Sequence, residues 1–307
     1  MAIDAEQLLT RAFPVQRVTL TPELCILYAI GIGVGRNATD PHALRYTFEE
    51  GLCAFPTMSA VIGFPGFWAR DPDMGIDWKK LVHGEQMMWM HAPLPVGGTV
   101  RAESRVSALY DKGEGRGAIL IQERRLFDDA TDAPLATLEQ VTLLRGDGGF
   151  SNGDPAYAGR PAAAQHVPDR APDLELSLTS RSDAALLYRL SGDMNPLHAD
   201  PAVAQAAGFD RPILHGMATL AMACEAALRA CLDNQPDRIA GLHLRFSAPF
   251  YPGETLRTEF WKNATGLSFR SFADERGVKV LDFPPNGFKP PASSRFASAK
   301  LSLDLLS

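Results

Sequence analysis

The stretch from Gly216 to Leu232 (GMATLAMACEAALRACL) is apolar on nearly every face and has no Gly or Pro after its first residue, which predicts a buried helix. After it, Gly241 to Ser247, Glu254 to Trp261, Thr265 to Phe272 and Gly277 to Asp282 are short segments of largely alternating polarity between Gly and Pro turns. They predict antiparallel strands. The first half repeats this order, with a helix near Pro56 to Ile62 and strands near Thr99 to Tyr110, Ala118 to Phe127 and Leu135 to Arg145. A buried helix followed by consecutive antiparallel strands implies an α+β class in which a sheet wraps around one helix. The Pro-rich segment from Phe283 to Phe296 cannot sit in a central strand and predicts an extended loop. A last strand is expected over Ala299 to Leu305, where Leu301, Leu303 and Leu305 alternate with polar residues.

The two halves are also related residue by residue. Leu27-Tyr28-x-Ile30 matches Leu187-Tyr188-x-Leu190, and Asp40-Pro41 matches Asp200-Pro201, both at an offset of 160. Ala92-Pro93-x-x-x-Gly97-x-Thr99-Val100-Arg101-x-Glu103 matches Ala248-Pro249-x-x-x-Gly253-x-Thr255-Leu256-Arg257-x-Glu259 at an offset of 156. The order is kept, so the chain is an internal duplication: a first copy over 1-150, a Pro-, Gly- and Ala-rich linker over 151-180 and a second copy over 181-307.

Composition narrows the function classes. The 307 residues carry a formal net charge of -6, so there is no global basic footprint and neither nucleic acid nor a membrane surface is an expected partner. The first thirty residues lack a basic start leading into a sustained apolar run, and no window offers a span of about 18 apolar residues. Cys25, Cys53, Cys224 and Cys231 sit among apolar neighbours with no Cys-x-x-Cys pair, and are expected to be reduced core residues. The final Leu305-Leu306-Ser307 is not a Ser-Lys-Leu type of peroxisomal address. A soluble, unexported, cytoplasmic protein is expected.

The chemically informative segment is Tyr188-Arg-Leu-Ser-Gly-Asp193-Met-Asn195-Pro-Leu-His198, followed by Ile213-Leu-His215-Gly216-Met217. Gly192 and Pro196 bracket a turn that lets Asp193 and His198 converge on one point. Adding water to a double bond conjugated to a thioester needs a group that takes a proton from water, a donor for the α carbon and stabilisation of the enolate oxygen. This segment contains candidates for all three. Gly-Asp-x-Asn-Pro by itself is equally the sequence of a structural turn, but its combination with His198 and a His-Gly helix start points to chemistry.

The segment from Tyr188 to His198 resembles the signature of the type 2 enoyl-CoA hydratases, a MaoC-like family with the hot-dog fold. In the first half, Leu27 to Gly33 and His83-Gly84-Glu85-Gln86 resemble the degenerate copy found in multifunctional members of that family. The resemblance implies a double hot-dog fold, two antiparallel sheets each wrapped around a central helix. It also implies reversible syn hydration of a trans-2-enoyl-CoA to the (3R)-3-hydroxyacyl-CoA. By the same resemblance, Asp193 and His198 hold and activate water, Asn195 positions it and the Gly216 amide receives the thioester oxygen. No metal or redox cofactor is implied, CoA being part of the substrate. At the offset of 160, Asp193 and His198 correspond to Gly33 and Ala38, so one active site per chain is expected. The small residues Gly31, Gly33 and Gly35 would leave room for an acyl chain on the first copy's side.

Arg245 and Lys262 are candidate partners for CoA phosphates. Arg189 lies in an apolar run and would need a carboxylate, for which Glu85 is the candidate. Three other functions share these motifs: a hydratase for a branched or dicarboxylic acyl-CoA of the mesaconyl-CoA type, an acyl-CoA thioesterase and a non-catalytic acyl-CoA-binding protein. Assembly as a homodimer is compatible with each.

Overall fold

A computed structural model of the chain describes residues 3–37, 39–158, 167–264 and 266–282. The first half contains α1 (Ala5–Thr10), β1 (Gln16–Thr19), α2 (Pro22–Gly31), α3 (Pro41–Thr47), β2 (Leu81–Met90), β3 (Thr99–Asp111), β4 (Ala118–Asp128) and β5 (Pro134–Leu144). The second contains β6 (Leu174–Thr179), α4 (Ala184–Tyr188), α5 (Pro201–Ala206), α6 (Gly216–Cys231), β7 (Gly241–Phe246), β8 (Thr255–Asn263), β9 (Gly266–Ala273) and β10 (Val278–Asp282). The expected strand over Ala299 to Leu305 and the loop over Phe283 to Phe296 lie outside the described residues.

The strands run β1-β3-β4-β5-β2-β7-β10-β9-β8-β6, and each of the two halves has the same internal order counted from the centre. This is the double hot-dog arrangement, with one correction: the two expected sheets are joined edge to edge into one antiparallel sheet of ten strands. The joint is β2 against β7, with Glu85 opposite Arg245 and Met87 opposite His243. Joining two copies in this way leaves neither with an open central edge.

Duplication is visible in small details. Asp40 caps α3 by accepting from the His42 amide at 3.0 Å, and Asp200 caps α5 through the Ala202 amide at 2.8 Å. Thr19 and Thr99 meet through their hydroxyls at 3.0 Å, as do Thr179 and Thr255. Tyr28 and Tyr188 are both fully buried, with ring centroids 5.8 Å apart where α2 packs on α4.

Two expectations about extent are corrected. Residues 174–179 form the edge strand β6 of the second half, paired with β8, so that copy begins inside the expected 151-180 linker. The first copy's central helix, expected over Pro56 to Ile62, is only a single 3-10 turn, Pro56–Ala60. Gly63, at φ +61°, turns the chain away immediately after it, and Pro65 follows. The second copy keeps its sixteen-residue helix, and ten of those residues are buried, eight of them in the main hydrophobic core.

Candidate active site

Gly192 sits at φ +123°, a conformation that L side chains rarely adopt, and turns the chain out of the Arg189–Ser191 turn toward Asp193. The Asp193 carboxylate accepts from the Asn195 amide at 3.1 Å, and Asn195 in turn caps the Pro196–His198 turn through the Leu197 amide at 3.1 Å. These two local bonds hold the backbone so that His198 returns toward Asp193. Asn195 is thereby a turn-former whose side-chain oxygen is engaged with the backbone.

His198 is buried, and its Nδ1 lies 2.8 Å from the Ile213 carbonyl oxygen. A carbonyl only accepts, so Nδ1 carries the proton and Nε2 presents its lone pair. Burial lowers the His198 pKa against the opposing pull of the Ile213 bond and the Asp193 charge, leaving the ring neutral at pH 7.

His215, 1% exposed, donates from Nε2 to the Asp193 main-chain oxygen at 3.2 Å. Its ring stacks on His198 with centroids 3.7 Å apart and planes at 27°. Burial, and then the neighbouring His198, push the His215 pKa down to about 4. One donor atom from each of Asp193, His198 and His215 lies within 4.8 Å of the others, the spacing of a metal site. One nitrogen of each ring is already engaged with a main-chain carbonyl, which leaves a single open nitrogen per ring at this point.

Gly216 opens α6 and is exposed. Among the described residues neither its amide nor that of Met217 has an acceptor, as expected of first-turn donors. The positive end of the helix dipole adds to their pull on an anion. A Cβ on Gly216 would stand 3.0 Å from Cε1 of Phe246, so the ring of β7 closes one side of this amide and leaves no space for a side chain.

The first copy contributes His83. A bulge in β2 between His83 and Glu85 turns the imidazole onto the helix side of the sheet, where it meets the Phe246 ring edge-on at 4.8 Å. Its Nε2 is sealed from solvent without a hydrogen-bond partner among the described residues. Burial brings its pKa down to about 4, while the Asp193 charge pulls the other way.

The supporting residues depart from expectation. Glu85 does not reach for Arg189. Its carboxylate accepts from Arg245 Nη2 at 2.8 Å and lies 3.3 Å from His243 Nε2, across the β2–β7 joint. Strand alternation explains this, since Leu244 and Phe246 face the main core and Arg245 and His243 face the opposite side of the sheet. Arg245 is therefore committed to Glu85 on the face away from Gly216. Arg189 stays beside the Asp193–His198 segment, where its charge lowers the His215 pKa. Lys262 is exposed at the end of β8, within electrostatic reach of Cys231, the last residue of α6. That end of α6 lies about 22 Å along the helix from Gly216. Gly31 is a packing glycine, its missing Cβ letting α2 approach the Tyr188 backbone. Gly35 lines a cavity of about 240 Å³ with Ile30, Val34 and Leu44. Ala38 lies outside the described residues.

His215, Phe246 and His83 were not singled out as site residues by the sequence reasoning. The one signal for the first was its place directly before Gly216.

Comparison with known proteins agrees with this architecture. Residues 163–282 match the MaoC like domain and residues 19–146 match the MFE-2 hydratase 2 N-terminal domain. The chain is 34% identical over 292 residues to enoyl-CoA hydratase ChsH3 of Mycobacterium tuberculosis, covering 92% of this chain and 97% of the relative. It is 36% identical over 264 residues to the peroxisomal multifunctional enzyme type 2 of Drosophila melanogaster, covering 83% of this chain, and spans only 43% of that longer protein. Among solved structures, a MaoC-like dehydratase from Phytophthora capsici superposes with a TM-score of 0.77 at 29% identity, covering 95% of this chain and 100% of the other. The chain belongs to the MaoC-like dehydratase family, as a two-copy member in which an MFE-2 hydratase 2 N-terminal domain precedes the MaoC-like domain.

Proposed function

We propose that the chain is a hydro-lyase that adds water reversibly to a trans-2-enoyl-CoA and yields the (3R)-3-hydroxyacyl-CoA. The observation that carries this reading is the fixed tautomer of His198. With Nδ1–H spent on Ile213, the Nε2 lone pair is held beside the Asp193 carboxylate as a neutral base. Relatives named enoyl-CoA hydratase and enoyl-CoA hydratase 2 support the same reaction class.

In this mechanism Asp193 and His198 hold one water, and His198 Nε2 takes one of its protons as the hydroxyl oxygen bonds to C3. The π electrons move toward the thioester oxygen, whose growing negative charge faces the Gly216 amide at the start of α6. The imidazolium then returns the proton to C2 from the same face, so addition is syn and the enzyme ends neutral. Asn195 acts by fixing the turn. The chain has one such site, because the segment matching Asp193 and His198 in the first copy carries Gly33 and Ala38. The four cysteines are free thiols, which suits a reducing compartment such as the cytoplasm. Among the described residues, no helix is long and apolar enough to cross a membrane.

A thioesterase on the same fold would send the water to C1. That reaction has no use for a separate proton donor toward C2, whereas the paired Asp193 and His198 supply one. Incubation with a saturated acyl-CoA separates the two, since a hydratase releases no free CoA from it.

A further inference from the structure

Register places Ser104 opposite Arg124 in the first copy, and Phe260 opposite Phe269 at the corresponding rung of the second. The rungs correspond because Ser104 and Phe260 share the 156 offset of the repeat. Where the second copy fills its core with two phenylalanines beneath α6, the first has a small residue and a cation beneath a single 3-10 turn. The loss of that helix leaves room that an arginine now occupies.

Arg124 is 6% exposed. One Nη2 bond goes to the Ala60 carbonyl oxygen, and Nε is buried with no hydrogen-bond partner among the described residues. Among the described residues no carboxylate pairs with it. Phe64, 43% exposed, stands over the guanidinium with its ring centroid 5.7 Å away. Burial lowers the pKa to about 10, so the group remains cationic at neutral pH. A buried cation without an anion is costly, and a carboxylate brought to it would offset that cost.

Arg124 also lies in line with the chemistry. Its charge reaches His83, His83 packs on Phe246, and Phe246 closes the side of Gly216. An acyl group whose thioester oxygen sits at the Gly216 amide would pass Phe246 and His83 to enter the first copy, the half that holds Arg124. His83 is neutral at pH 7, so of these two groups Arg124 carries the charge.

We propose that Arg124 receives a carboxylate at the far end of the substrate's acyl group, which makes this chain selective for enoyl-CoAs derived from dicarboxylic acids. The planar guanidinium, with Nε unengaged, suits a carboxylate oxygen. Phe64 is the lid over that position. This proposal rests on the hydratase reading above and names its substrate class.

The test uses matched pairs of short- and medium-chain trans-2-enoyl-CoAs, one ending in a methyl group and the other in a carboxylate, assayed by loss of the enoyl thioester absorbance. Wild type should show kcat/KM at least ~10-fold higher for the carboxylate partner at its preferred length, the value of one charge-assisted contact. Arg124→Met should collapse that ratio toward one, and Arg124→Lys should restore part of it. Phe64→Ala should change KM for the carboxylate-ended member more than for the methyl-ended one. Thermal melts accompany each variant, and should Arg124→Met not fold, the wild-type ratio and Phe64→Ala still decide the matter. A wild-type ratio near one at every length, or a ratio unmoved by Arg124→Met in a folded protein, overturns the proposal while the hydratase reading stands. Hydration of neither member overturns both.

Discussion

The imidazoles of His198 and His215 stack at 3.7 Å, and each spends its one N–H on a main-chain carbonyl, of Ile213 and Asp193 respectively. Two neutral rings are thus fixed in complementary tautomers, one with Nε2 open near Asp193 and the other holding the Asp193 backbone. Asp193→Asn and His198→Gln should each lower kcat by about 10² to 10⁴, the usual contribution of a positioned acid or base. The double variant should lose far less than the product of the single losses, since both residues act on one water. Steady-state hydration rates measured beside thermal melts check both statements.

Acid should act on the same groups. Burial depresses the pKa of His198, and those of His83 and His215 to about 4, below the unfolded value of about 6.5. The unfolded chain therefore binds protons before the folded one does, and stability present above pH ~6.5 is lost as pH falls toward ~4. Tm should decline across that window, and His83→Gln should flatten the decline. The hydration rate should hold to a lower pH than an ordinary histidine base allows, because His198 stays neutral there.

Gly216→Ala places a methyl group 3.0 Å from the Phe246 ring. The ring or the helix start must move, and kcat/KM should fall by about 10- to 100-fold, less than the ~10² to 10³ that removing an oxyanion donor outright costs. Adding Phe246→Leu gives the methyl group space and should recover part of the loss. Equal losses in the single and double variants would mean that the contact does not set the position of the amide.

The joint between copies gives a stability prediction. Glu85 and Arg245 face each other across β2 and β7, with Glu85 buried and Arg245 about half exposed. Glu85→Ala should cost about 1 to 3 kcal/mol, less than a fully buried pair because water reaches the arginine. A double-mutant cycle with Arg245→Ala should be non-additive, while the cycle of Glu85 with Arg189 should be additive.

Much of this site was legible in the sequence because it is local. Asp193, Asn195 and His198 fall within one turn whose geometry is set by Gly192 and Pro196, and Gly216 follows from the helix start. What could not be read depends on contacts between the copies. Strand β2 has no alternating pattern because Gly84 to Met90 are buried on both faces once the copies join, so it escaped a search for period two. The partner of Glu85 depends on cross-strand register, which sequence spacing does not give, and Arg189 was favoured only by its apolar neighbours. Lys262 and Gly216 are close in the chain's second half yet stand at opposite ends of α6. Arg124 carries no sequence signal of its own, since its burial follows from the first copy's central helix being one turn long.

The central claim is that Asp193 and His198 add water to C3 of an enoyl thioester. Its most direct measurement follows crotonyl-CoA and longer trans-2-enoyl-CoAs in wild type and the Asp193→Asn and His198→Gln variants, recording thioester absorbance, free thiol and product chirality together. The account predicts loss of the conjugated absorbance in wild type, a (3R)-3-hydroxyacyl-CoA product, no release of CoA and a drop of at least ~10²-fold in each folded variant. Release of free CoA, a (3S) product, or near wild-type turnover in either variant would contradict it.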